Sequence, residues 1–156
     1  MILDLANRYV VKSKIKGVKV ERELANKLWS LGFAVVRSGS SGGGVRKRFA
    51  PDIVAMKNGK ILVLEVKYRS KEESISISVD RLLKLLDFSR RAGGYAYVAV
   101  KYSGSQWRFI DVKELVKDND GHIDSRYVTL HPEVVKKGLS LRQLVERLLC
   151  DKLSIG

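Results

Sequence analysis

The chain has 156 residues, which is enough for one domain with a proper hydrophobic core and hardly enough for two. It carries 30 Lys or Arg against 17 Asp or Glu, a formal net charge of +13, and its only cysteine, Cys150, excludes an intrachain disulfide and a thiolate metal cluster. No apolar run approaches the roughly 18 residues of a membrane span, and the first residues lack the apolar core of a signal peptide, so we expect an intracellular, cytoplasmic protein with no membrane contact.

The excess positive charge is confined to one part of the chain. Residues 1–110 contain 22 basic and 9 acidic side chains, whereas residues 111–156 contain eight of each. An excess of this size attracts polyanions, and nucleic acid is the partner that it favours most. The alternative is a general contribution to solubility.

The first elements are a basic segment, a helix and a short strand. Residues 1–16 are a basic arm that is either helical or ordered in another way. From Val18 to Leu31, apolar residues recur at helical spacing, and Gly32 is a natural helix stop. A strand is predicted for residues 33–37.

A Gly- and Ser-rich loop, SGSSGGGVRKRF, follows this strand and becomes basic towards its end. It lacks the Gly-Lys-Ser/Thr end of a P-loop. Arg46, Lys47 and Arg48 attract phosphates, so we interpret the loop as a flexible flap that contacts DNA. A plain surface linker is the alternative.

Residues 50–67 predict a β-hairpin. Asn58-Gly59 is the strongest short signal for a two-residue type I′ turn, in which both residues take a positive φ. This turn makes Lys57 face Lys60, and the later pairs follow by counting outwards. Apolar residues occupy both faces, so we expect the hairpin to lie in the middle of its sheet.

The predicted register places two acids opposite each other in this apolar hairpin. Asp52 and Glu65 fall at a non-hydrogen-bonded pair, where side chains lie closest, and Lys67 shares the face of Glu65. Because like charges repel, a cation or a shared proton must offset them. Hard oxygen ligands without nearby His or Cys favour Mg²⁺, for which Mn²⁺ can substitute. The alternative is an ion-paired strand end in which both acids bind Lys67.

The remaining elements complete an α/β pattern. Residues 75–79 alternate like an edge strand or an extended segment, and residues 80–92 form an amphipathic helix that ends at Gly93-Gly94. Strands are predicted for residues 95–101 and 106–110, and the tail ends in a helix with the sequence SLRQLVERLLCDKL. This order predicts a single mixed β-sheet flanked by helices.

The pair Pro51-Asp52 followed by Glu65-x-Lys67 is the PD-(D/E)xK nuclease signature, and the surrounding sequence resembles the archaeal Holliday junction resolvases. The signature alone is weak; the FAVVR strand, the serine loop and the FSRR-GG helix end make the match specific. The resemblance covers roughly residues 16–110. It implies a restriction-endonuclease-like core, a homodimer, and Mg²⁺-dependent paired nicks in four-way DNA junctions during homologous recombination and repair.

The resemblance also implies roles for individual residues. The implied metal ligands are Glu21, Asp52 and Glu65. Lys67 looks like the catalytic lysine, which would orient the attacking water and offset negative charge on the phosphate. Glu21 borders the buried stripe of its predicted helix, where an ordinary solvated glutamate is the alternative. Ser41 resembles a loop serine that supports cleavage, with Ser40 as the alternative.

DNA contacts and the dimer face are implied in the same way. Arg22 and Arg37 match basic residues implicated in DNA contact or catalysis, and Phe88 matches an aromatic at the dimer face. The chain has Ala92 where some relatives have a second aromatic. A twofold dimer suits the reaction because two symmetry-related strands require two matching sites.

We therefore expect a single nuclease domain over the whole chain. Its parts are a basic arm (1–16), a catalytic core (17–110) and a charge-balanced C-terminal extension (111–156). The alternatives are another PD-(D/E)xK DNA nuclease of the repair or restriction type, and a DNA-binding protein without catalysis. The length leaves little room for the recognition elements of a restriction enzyme, and the presence of Asp52, Glu65 and Lys67 argues against a binding-only protein.

Overall fold

A computed structural model describes residues 2–39, 48–117 and 126–150, which form sheets flanked by helices. The described strands are β1 (Ala34–Arg37), β2 (Ile53–Lys57), β3 (Lys60–Arg69), β4 (Ile75–Ser78), β5 (Tyr95–Tyr102), β6 (Arg108–Asp111) and β7 (Tyr127–Leu130). The described helices are α1 (Ile2–Ser30), α2 (Val79–Ala92), α3 (Val112–Lys117), α4 (Pro132–Lys136) and α5 (Leu141–Cys150).

The main sheet has five strands in the order β1-β2-β3-β5-β6. β3 pairs parallel with β5, and the other neighbours are antiparallel, so the predicted mixed sheet flanked by helices is confirmed. The hairpin lies inside the sheet, as predicted. The segment at 75–79 does not join this sheet, however: β4 pairs with β7 in a second, two-stranded sheet.

The β2–β3 hairpin has the predicted turn and register. Asn58 and Gly59 take φ values of 50° and 74°, and Lys57 faces Lys60. The ladder ends at Ile53 and Leu64, however, one pair before the two acids. The amide of Asp52 donates to the Leu64 carbonyl at 3.0 Å, so Asp52 lies beyond the last pair.

Helices cover both faces of the sheet because alternate strand residues are apolar on each side. One core contains Leu24 and Leu28 of α1, Leu62 and Leu64 of β3, and Leu144 of α5. The second core packs α2 and α3 against the other face, with Leu82 and Leu85 fully buried. Successive residues of β3 therefore point to opposite helical layers.

α1 is a single 29-residue helix that includes the basic arm. The predicted stop is confirmed, since Gly32 has a φ of 90° and the Phe33 amide donates to the Leu28 carbonyl. Side chains 4–16 are exposed, so this half of α1 extends past the core. None of the helices in the described ranges is long and apolar enough to cross a bilayer.

Capping residues define both ends of α2. Ser78 accepts a hydrogen bond from the Arg81 amide at its N-terminus, and Gly93 takes the left-handed conformation, with a φ of 71°, at its C-terminus. Gly94 packs so closely on Ile61 that a Cβ would collide with the Ile61 backbone. These contacts fix α2 over β3.

Candidate active site

The two predicted acids meet where β2 begins, beside β3 and the first turn of α2. Glu65 is only 5% exposed, and Asp52 and Lys67 are partly buried beside it. Glu65 shares its face of the sheet with Val63, which belongs to the core under α2. The first turn of α2 therefore lies over the carboxylate of Glu65.

Arg81, in that first turn, joins the two carboxylates. Its Nε and Nη2 both donate to Oε2 of Glu65, at 2.9 and 2.7 Å, and Nη2 also lies 3.6 Å from Oδ1 of Asp52. Sequence reasoning missed this residue. The signal that was available is an arginine in the first turn of the helix that follows the Glu65-x-Lys67 strand.

Lys67 contacts the other oxygen of Glu65. Its Nζ lies 3.4 Å from Oε1, so each oxygen of this buried carboxylate faces a cation. The alternative in which both acids bind Lys67 is therefore correct for Glu65 only. The cation shared by both acids is Arg81.

Asp52 is held by the backbone as well as by charge. Its Oδ2 accepts a hydrogen bond from the Val66 amide at 2.8 Å. Burial, together with the negative charges of Glu65 and Glu21, raises the pKa of Asp52 to about 6, although the Val66 amide and Arg81 act in the opposite direction. Burial of the Asp52 carboxyl is thus the main cause of its raised pKa, and the neighbouring carboxylates add to it.

This raised pKa has a consequence for stability. Folded Asp52 binds its proton more tightly than unfolded Asp52, so its contribution to stability is fully present below a pH of about 4 and is lost as the pH rises through about 6. We therefore expect Asp52→Asn to be more stable than the wild type by roughly 2 kcal/mol at pH 7.5 without metal. The two proteins should unfold alike at pH 4.

Urea denaturation in a chelating buffer at both pH values measures this difference. Asp80→Asn is the control, because Asp80 is exposed and pairs only with Lys84 among the described contacts of its side chain. Such an exposed pair contributes little to stability. Equal stabilities of wild type and Asp52→Asn at pH 7.5 would contradict the electrostatic account.

Glu21 lies near the site but is bound elsewhere. Its Oε1 accepts a hydrogen bond from Nε of Arg37 at 3.2 Å. Burial raises the pKa of Glu21, and Arg37 partly offsets this effect. α1, which carries Glu21, covers the face of the sheet opposite to Glu65. Within the described ranges, no three His, Cys, Asp or Glu side chains are close enough together to hold a metal ion, so Glu21 does not form such a group with Asp52 and Glu65.

The other predicted site residues are spread around this centre. Ser40, Ser41, Arg46 and Lys47 lie outside the described residues. Arg22 and Arg48 are exposed to solvent. Phe88 is partly buried and meets the ring of Phe49 edge-on, with centroids 6.5 Å apart.

A basic groove runs from Lys67 along the exposed half of α1. It has a volume of about 560 Å³ and lies between α1 and the end of β3. Its cationic and aromatic lining includes Tyr9, Lys12, Lys16, Lys67, Tyr68 and Arg69. Cations interleaved with aromatic rings suit a nucleic-acid strand, since phosphates pair with the former and bases can stack on the latter.

The donor set fits a hard divalent ion. Two carboxylates already converge on one cationic group, and Mg²⁺ prefers such oxygen ligands from one or two acids. Asp52 and Glu65 would hold the ion. The neighbouring lysine and the basic groove would then place a phosphate beside it.

Comparisons with known proteins point to enzymes that cut DNA. Residues 12–152 match the family model described as archaeal Holliday junction resolvase (Hjc). The chain is 35% identical to the crossover junction endodeoxyribonuclease Hjc of Sulfurisphaera tokodaii, covering 85% of this chain and 88% of that protein. It is 38% identical to the protein of the same name from Archaeoglobus fulgidus, covering 79% and 89%.

A solved structure is similar as well. The structure of Archaeoglobus fulgidus Hjc, a Holliday junction resolvase from an archaeal hyperthermophile, superposes with a TM-score of 0.67 at 32% identity. The match covers 83% of this chain and 94% of that one. Sequence and fold thus point to the same group of nucleases.

Proposed function

The chain belongs to the archaeal Holliday junction resolvase family, and we propose that it is an endonuclease that cuts four-way DNA junctions in recombination and repair. The observation that carries this proposal is the convergence of Asp52 and Glu65 on one cation position, with Lys67 beside them. That arrangement suits hydrolysis of a phosphodiester.

The cofactor that we propose is Mg²⁺, with Mn²⁺ as a substitute, held by Asp52 and Glu65. When bound, such an ion supplies an acidified water and polarises the phosphate. Lys67 is partly buried, so its charge acts strongly on a phosphate at the site and can offset the negative charge that develops during attack. Its ion pair with Glu65 holds the amine in place for this role.

Glu21 is proposed as the third acid of the metal site. Its charge already raises the pKa of Asp52, which places it within electrostatic range. Arg37 now neutralises Glu21, and a DNA phosphate that attracts Arg37 would compete for that guanidinium. DNA binding would in this way release Glu21 towards the site.

The DNA path that we propose begins at Lys67 and follows the basic groove. Arg22 and Arg48 extend the positive surface, and Arg46, Lys47 and Ser41 are proposed to act from the neighbouring loop. Contacts of this kind bind phosphates and recognise shape, with little reading of bases. Recognition by shape is what a junction-cutting enzyme requires.

A homodimer completes the proposal. Paired nicks at symmetry-related positions need two copies of the site, and a twofold dimer supplies them. Phe88 lies in a surface cavity of about 690 Å³ with Phe49 and Arg91, and we place the partner subunit there. The protein would act in the cytoplasm, where the DNA of an archaeal cell lies.

The test is cleavage of a synthetic four-way junction and of a linear duplex with the same sequence in Mg²⁺. We expect two symmetric nicks in the junction and at least roughly 10²-fold slower cutting of the duplex, because the duplex cannot occupy both sites of the dimer in the required geometry. Equal cutting of both would favour another PD-(D/E)xK nuclease of the repair or restriction type. Binding without cutting of either would overturn the proposal.

A further inference from the structure

We propose that Arg81 competes with the divalent ion for the carboxylates of Asp52 and Glu65, and so sets the ion concentration that the site requires. This inference rests on the proposed function, because it takes those two acids as the metal ligands. Arg81 would thus regulate metal binding by occupying the carboxylates when the ion concentration is low.

Distances make simultaneous binding unfavourable. The two nitrogens of Arg81 lie 2.9 and 2.7 Å from Oε2 of Glu65 and occupy the side of that oxygen towards Asp52. Mg²⁺ binds oxygen at about 2.1 Å, so an ion between the same carboxylates would lie against the guanidinium. A divalent ion and a guanidinium that both contact the same carboxylate oxygen repel each other strongly in a partly buried site.

Arg81 also has contacts that do not involve the acids. Its guanidinium carbon lies 4.4 Å from the centre of the Phe49 ring, and Nη2 is 3.4 Å from the Ala50 carbonyl. A cation is attracted to the face of an aromatic ring. When an ion takes the carboxylates, the Phe49 ring and the Ala50 carbonyl therefore still offer the guanidinium contacts that do not depend on the acids.

Charge explains why such a competitor is useful. Glu65 is almost fully buried and lies near Asp52, so the pair needs a cation when no divalent ion is bound. Arg81 supplies the cation shared by both acids, and Lys67 contacts the other oxygen of Glu65. Metal binding must therefore overcome the Arg81 contacts.

Mn²⁺ binding measured by electron paramagnetic resonance and by calorimetry tests the inference. We expect Arg81→Gln to bind Mn²⁺ roughly tenfold more tightly than the wild type, because charge-assisted hydrogen bonds no longer compete. Its melting temperature without metal should fall by about 3 °C, and the difference should shrink at saturating Mn²⁺. Arg81→Lys, which keeps the charge but loses the forked donor, should show an intermediate affinity.

Arg142→Gln is the matched control, since it removes an exposed arginine paired with Glu146 and should leave Mn²⁺ affinity unchanged. Asp52→Asn separates the two proposals. If Asp52→Asn weakens Mn²⁺ binding but both Arg81 variants bind like the wild type, or more weakly, the inference on Arg81 is wrong and the proposed metal site stands. If the wild type binds no Mn²⁺, or Asp52→Asn binds it equally well, the proposed metal site fails, and the inference fails with it.

Discussion

Asp52→Asn should lower the rate of junction cleavage by at least roughly 10³-fold while leaving junction affinity nearly unchanged. The substitution replaces one of the two proposed anionic ligands by a neutral amide, so the site would hold a divalent ion poorly. The amide oxygen can still accept the hydrogen bond from Val66, and the basic groove keeps all of its cations. The substitution should therefore reduce the cleavage rate without reducing the affinity for the junction.

Single-turnover cleavage in Mg²⁺ measures the first quantity, and a gel-shift titration without divalent ions measures the second. Asp111→Asn is a close control, because Asp111 ends a strand and accepts a hydrogen bond from the Lys113 amide at 2.8 Å, much as Asp52 does from Val66. It should cleave at the wild-type rate. Full activity in Asp52→Asn would place the metal site elsewhere in the chain.

The parts of this site that sequence predicts are those that local signals determine. Asn58-Gly59 requires positive φ at both residues, which fixes the turn and the register of β2 against β3. That register brings Asp52 and Glu65 close to each other at the open end of the hairpin, where Arg81 joins their carboxylates. The two acids and Lys67 were therefore accessible from the spacing of a few residues along one hairpin.

Arg81 could not be predicted in this way, because its position depends on contacts between distant segments. β3 and β5 pair in parallel, so the helix between them runs back along the sheet, and its first turn lies beside Glu65 in the middle of β3. The sequence pattern predicts the helix and both strands but not their parallel pairing. From the sequence alone, Arg81 in the first turn of this helix therefore cannot be distinguished from an ordinary surface arginine.

Two further differences have similar causes. The hairpin ladder ends before Asp52 because the amide of Asp52 binds the Leu64 carbonyl, which periodicity cannot reveal. β4 leaves the main sheet because it pairs with β7, a strand in the charge-balanced tail without a clear alternating pattern. Long-range pairing decides both features, whereas the helix caps and the turn depend on neighbouring residues.

Lys67→Ala is expected to reduce the cleavage rate by roughly 10²- to 10³-fold without weakening the binding of Mn²⁺. The amine lies 3.4 Å from Oε1 of Glu65, so its loss removes a positive charge from the proposed site of attack. Removing a cation also leaves the carboxylates free to hold a divalent ion. The substitution should thus affect the chemical step and not the occupancy of the metal site, in contrast to Asp52→Asn.

Single-turnover rates at saturating Mg²⁺, compared with Mn²⁺ affinity by calorimetry, distinguish these two effects. Lys67→Arg should recover part of the rate because it restores the charge with a different shape. Lys113→Ala, which changes an exposed lysine of α3, should behave as the wild type. If Lys67→Ala loses Mn²⁺ affinity and cleavage in parallel, the amine supports the metal site. If the rate does not change, then the positive charge beside Glu65 contributes only to the stability of the fold.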